Sequence, residues 1–72
     1  EELDARGLNC PLPIIRARKS MNGLEMGQLL RIVATDPGSV KDFQAFCEQT
    51  KNELVESSEV DGEYLFLIRK TA

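Results

Sequence analysis

The sequence predicts an α/β domain in which two helices pack on one face of a mixed sheet of about four strands. Three observations predict it. Two stretches with helical apolar spacing alternate with short runs rich in β-branched and large apolar residues. An Asp-Gly pair near the end marks a tight turn between two strands. The 72 residues are room for one domain, residues 1–72, and no more. A chain this small buries only roughly 60% of the surface it exposes when unfolded, so its core is thin and a single layer of helices over a single sheet is the simplest solution. Connections through helices favour parallel pairing and the Asp-Gly turn favours an antiparallel hairpin, so the sheet is mixed.

Taken in order, Leu3 to Ala5 reads as a short first strand, and Arg6-Gly7-Leu8-Asn9 as a loop with one permissive glycine. A helix follows from Pro11 to about Asn22, with Ile14, Ala17 and Met21 on one face, Ile15 beside them and Gly23 as its stop. Leu29 to Thr35, "LLRIVAT", reads as a strand and Asp36-Pro37-Gly38 as a turn. Ser39 with Asp42 three residues later resembles a capping box and starts a second helix ending near Asn52. Val40, Phe43, Phe46, Cys47 and Thr50 form its apolar stripe. Leu54 to Ser58 is a weaker strand, and Tyr64 to Lys70 a strand apolar enough to be buried on both faces.

Composition narrows the function. The net charge is −3, and acidic residues dominate the second half from Glu48 to Glu63. Nucleic-acid binding needs a concentrated basic surface, so direct contact with nucleic acid is not expected. The first twenty residues lean the other way, with Arg6, Arg16, Arg18 and Lys19, which leaves room for a basic patch near Cys10. The longest apolar run, Tyr64 to Ile68, is far short of the roughly 20 residues of a membrane span. Two cysteines and no export signal point to a reducing, cytoplasmic setting.

The chemistry centres on "LNCPLPIIRARK", Leu8 to Lys19. With Cys10 as N-cap, Pro11 occupies the first helical position and Pro13 lies within the first turn, where neither proline loses a helical hydrogen bond. The N–H groups of Leu12 and Ile14 are then free to point toward the Cys10 side chain. A neutral thiol is a poor N-cap, but a thiolate at a helix N-terminus gains typically 0.3–1 kcal/mol, up to about 2 in good geometry. That lowers the pKa of a free cysteine from roughly 8.5 toward neutral pH and gives a competent nucleophile. The competing reading of Cys10 is a small core residue that happens to precede a helix. For Cys47, mid-helix on the apolar stripe, core packing is the favoured reading over a resolving thiol or a Cys10–Cys47 disulfide.

The chain has no histidine, no C-x-x-C pair and no glycine-rich phosphate loop. These absences remove Cys-His catalysis, a zinc site and thioredoxin-like exchange, and neither metal nor cofactor is expected. What remains is one activated sulfur without a catalytic base. Such a residue can take the outer sulfur of a persulfide and later give it up.

"LDARGLNCPLP", Leu3 to Pro13, resembles the opening signature of the TusA-like (SirA-like) sulfur carriers, whose mark is Cys-Pro-x-Pro after a short strand and a glycine-bearing loop. The likeness continues through Arg18-Lys19, "VATDPGS", Phe46-Cys47 and "LIRK", and so spans the chain. The resemblance implies a two-layer α/β sandwich of βαβαββ order. It places the persulfide-bearing residue at Cys10, with motif support from Gly7, Pro11 and Pro13. It implies a relay rather than a stand-alone enzyme: sulfur arrives from a donor protein such as a cysteine desulfurase or a rhodanese-like protein and leaves to an acceptor protein. Downstream uses in the family include tRNA thiolation, molybdenum-cofactor assembly and sulfur oxidation. Some members carry arginine before the cysteine; here it is Asn9, which leaves subfamily and pathway open.

Arg6, Arg16 and Arg18 are candidate contacts for an anionic persulfide or an acidic partner surface, against the plainer reading of solvated charge. A monomer is expected. Two other functions stay open: a non-catalytic regulatory or interaction module in which Cys10 is incidental, and a thiol redox sensor using Cys10. A carrier needs Cys10 alone, a binding module needs neither cysteine, and a two-thiol switch needs Cys47 as well.

Overall fold

A computed structural model describes residues 1–72. The order is β1 (Glu2–Ala5), α1 (Leu12–Asn22), β2 (Leu29–Ala34), α2 (Ser39–Thr50), β3 (Glu53–Val60) and β4 (Glu63–Arg69). These form the expected βαβαββ sandwich, with both helices over one face of a four-stranded mixed sheet. Its strand order is β1-β2-β4-β3. β1 runs parallel to β2, with Leu3 opposite Ile32, and β4 runs antiparallel to both β2 and β3. β4 therefore returns into the slot between β2 and β3.

The alternation of side chains along a strand decides what is buried. Leu30, Ile32 and Ala34 of β2 and Phe66 and Ile68 of β4 face the helices and are buried. They meet Ala17 and Met21 of α1 and Phe43, Phe46 and Cys47 of α2. Phe43 packs tilted against Phe66, ring centroids 4.7 Å apart, and edge-on to Phe46 at 6.1 Å. Such pairs add about 0.5–1.5 kcal/mol to the area they bury.

Three expectations need correction. β4 is not buried on both faces: Leu65 and Leu67 lie on the side away from the helices and are half-exposed, because a two-layer fold covers only one face. Ile15 does not join the buried face of α1 but is 55% exposed, while Pro13 takes a buried place with Ala17 and Met21. Pro13, Ala17 and Met21 are spaced four apart, and Ile15 falls off that stripe. The capping box is not formed. Gly38 is the N-cap of α2, no side chain caps the helix, and the buried Ser39 Oγ has no partner. The Asp36 carboxylate does part of that work by accepting the Gly38 N–H at 3.1 Å, while the Asp36 carbonyl accepts the Ser39 N–H.

The Asp-Gly turn is as read: Asp61 and Gly62 both have positive φ, 51° and 80°, as a type I′ hairpin turn between Val60 and Glu63 demands. α2 stops at Lys51, which adopts the left-handed conformation at φ 67°. That conformation suits glycine and penalises a residue with a Cβ. Lys51→Gly relieves a left-handed penalty of about 1–2 kcal/mol against about 0.4–1 kcal/mol of extra unfolded-chain entropy, so it is expected to raise stability modestly, read as a higher urea midpoint at unchanged m-value.

Candidate functional site

The site begins with the loop that leaves β1. Gly7 adopts φ 79°, which a side chain would strain, and its N–H donates to Thr35 Oγ1 at 2.9 Å. The Leu8 N–H returns to the Ala5 carbonyl, and the Leu8 side chain packs on the core. These contacts fix the path into Asn9, Cys10 and Pro11.

The Cys10–Pro11 peptide is cis, and the Leu12 N–H donates to the Asn9 carbonyl at 2.8 Å. Asn9 to Leu12 thus forms a closed turn with Pro11 in its third place. This corrects the expected register. Pro11, not Cys10, is the N-cap of α1, and Leu12 and Pro13 are its first two residues. Of the two N–H groups expected to face the thiol, that of Leu12 is spent on closing the turn.

Cys10 is exposed, and its own N–H donates to Asp36 Oδ2 at 2.9 Å. One carboxylate, from the loop between β2 and α2, thereby ties the cysteine turn to the start of α2. Beside the sulfur lies a shallow groove of about 210 Å³ between α1 and α2, lined by Cys10, Pro11, Ile14, Arg18, Asp42, Ala45, Phe46 and Gln49.

The electrostatics reverse the expected direction. The Cys10 thiol is pushed above its ordinary pKa, first by the Asp42 carboxylate, which favours the protonated sulfur, then by desolvation and by the negative charges of Asp42 and Asp36. A helix N-terminus alone would favour the thiolate; here the charges of two carboxylates favour the neutral thiol.

Cys47 is buried in the core and free, and burial alone pushes its thiol up to about 11. Native chain treated with iodoacetamide near neutral pH is therefore expected to take one label, at Cys10. Cys47 should react only after denaturation, with intact mass and peptide mapping as the readout.

The three arginines have different settings. Arg6 is held by both oxygens of Asp4, at 2.9 and 3.0 Å, and lies 3.5 Å from Glu63. Arg16 is exposed on α1 without an ion pair. Arg18 lies over the Phe46 ring, 5.3 Å from its centroid, and shares the groove with Cys10. Through its hydrogen bonds to Arg6, the Asp4 carboxyl is lowered from 3.8 to about 2. A carboxyl depressed in the folded state stabilises fully above its unfolded pKa and loses that contribution as pH falls through the folded one. The pair's contribution should thus fade between about pH 4 and pH 2, and Asp4→Asn should remove that part of the acid dependence.

Asp36 and Asp42 are the site residues that sequence reasoning missed. The first read as a turn residue and the second as half of a capping box. A contact to a residue 26 positions away leaves no local signal.

Fold and groove together define a two-layer α/β protein that presents a single accessible cysteine from a Cys-Pro-x-Pro turn, with no neighbouring histidine to act as a base. The chain belongs to the TusA sulfurtransferase family, also called SirA-like: the family's sequence pattern matches residues 1–70. It is 62% identical over 71 residues to the sulfur carrier protein TusA of Allochromatium vinosum, covering 99% of this chain and 93% of that one. It is 46% identical over 70 residues to the sulfur carrier protein TusA of Pseudomonas aeruginosa, covering 97% and 89%. The crystal structure of a SirA-like protein from Desulfitobacterium hafniense superposes with a TM-score of 0.86 at 29% identity, covering 99% and 97%.

Proposed function

We propose that this chain is a sulfur carrier in which Cys10 holds the sulfur as a persulfide. The observation that carries the reading is the pairing of full-length family membership with one exposed cysteine at the motif, the other being buried. The Cys10 thiolate attacks the outer sulfur of a donor persulfide. A new S–S bond forms at Cys10, the donor's S–S bond breaks, and the donor leaves as a thiolate that takes up the proton Cys10 gave away. No net electrons are gained or lost, so neither cofactor nor metal is called for. An acceptor thiolate then repeats the step on Cys10 and frees it.

The donor is a cysteine desulfurase or a rhodanese-like protein, and the acceptor is a second protein feeding tRNA thiolation, molybdenum-cofactor assembly or sulfur oxidation. The chain is a relay and touches no nucleic acid itself. Gly7, Pro11 and Pro13 set the path of the cysteine turn. Arg16, unpaired, and Arg18, in the groove, are the cations we assign to partner contact; Arg6 is already engaged by Asp4 and Glu63. The carrier works as a monomer in a reducing cytoplasm, where both thiols stay free. No helix is long and apolar enough to cross a membrane.

The reading is tested with radiolabelled cysteine, a desulfurase and the purified chain. Label should appear on the chain, be released by dithiothreitol, and pass to an acceptor protein. No label from either a desulfurase or a rhodanese-like donor would move the weight to a binding or redox-sensing module.

A further inference from the structure

Two carboxylates converge beside Cys10. Asp36 comes from the loop before α2, and Asp42 from the first turn of α2; both are half-buried. Each reaches toward Gly38: a Cβ added there would lie 3.7 Å from Asp36 Oδ1 and 3.9 Å from Asp42 Oδ2. Their duties differ. Both oxygens of Asp36 serve backbone N–H groups, those of Cys10 and Gly38. Asp42 is in no ion pair and lines the groove with the sulfur. The one cation lining that groove is Arg18, from α1, stacked over Phe46.

We infer that Asp42 is a positioning residue whose carboxylate, in the groove it shares with Cys10, keeps small anionic reagents off the sulfur until a docked partner brings a cationic group against it. The thiolate, not the thiol, is the nucleophile. A carboxylate beside the sulfur opposes the thiolate and repels an approaching anion; a cation set against that carboxylate cancels both effects. The upward push on the Cys10 thiol, led by Asp42, agrees with this. The effect suits a carrier, which must not surrender its site to free disulfides between partners. That partner role rests on the sulfur-carrier reading; the placement of Asp42 and Cys10 in one groove does not.

The test uses the native chain, Asp42→Asn and Asp42→Glu. Alkylation of Cys10 by iodoacetamide is followed across pH. Its disulfide exchange is followed with cystamine, a dication, and with dithiodiglycolate, a dianion, at low salt. In Asp42→Asn the alkylation midpoint should fall, the rate at neutral pH should rise roughly threefold or more, and the preference for cystamine should shrink by a similar factor. Asp42→Glu should keep the native behaviour. An unchanged midpoint and ratio in Asp42→Asn would overturn the inference, as would Asp42→Glu behaving like Asp42→Asn. Should Asp42→Asn fail to fold, the native chain decides: a cystamine preference that high salt erases supports the inference, and no preference at low salt overturns it. No sulfur donor is present in these reactions, so a chain that never carries sulfur would sink the carrier reading and leave the role of Asp42 to be decided by its own rates.

Discussion

Cys10→Ser is expected to abolish sulfur loading altogether while leaving the fold in place. The two halves of this prediction have separate causes. The Cys10 side chain is exposed, and the link that locks its turn to α2 is made by its backbone N–H to Asp36, which serine keeps. Exposed substitutions away from caps and cores usually change stability by no more than about 0.5 kcal/mol. A serine hydroxyl, by contrast, is a weak nucleophile without an adjacent base, and the chain has no histidine to supply one. Cys47 cannot take over, because it is buried and its thiol stays protonated up to about pH 11. The loss should therefore be complete rather than partial, with a melting curve close to native.

Phe43→Ala is expected to remove about 3–5 kcal/mol of stability. Phe43 is fully buried and stands at the centre of the one aromatic cluster, against Phe66 of β4 and Phe46 of α2. Its removal leaves a cavity between the helix layer and the sheet. A domain of 72 residues has in total roughly 4–11 kcal/mol at 0.05–0.15 kcal/mol per residue, so this single truncation takes about a quarter of it or more. Urea denaturation measures the loss directly. Cys47, one turn along the same helix, gives a second readout: it should become open to alkylation at neutral pH in this variant and stay closed in the native chain.

Much of the fold is legible in local patterns. The stripe of Phe43, Phe46 and Cys47 recurs at helical spacing, and all three are buried. Asp61-Gly62 takes the two positive φ angles its residue types favour. Cys10, Pro11 and Pro13 mark a rigid helix start, with an error of one residue in where the helix begins. What stays hidden depends on partners distant in sequence. The return of β4 between β2 and β3 is a choice among pairings that each strand alone would allow. The half-exposure of Leu65 and Leu67 follows from how many layers cover the sheet, not from the strand's own composition. The push on the Cys10 thiol comes first from Asp42, which shares the sulfur's groove only once α2 is docked beside α1.

The most direct test of the central claim is intact mass after incubation with a cysteine desulfurase and cysteine. The native chain, Cys10→Ser and Cys47→Ser are compared, each before and after reduction. A gain of one reducible sulfur atom is expected in the native chain and in Cys47→Ser, and none in Cys10→Ser. Sulfur retained in Cys10→Ser, or absent from Cys47→Ser in a chain that still folds, would contradict that claim.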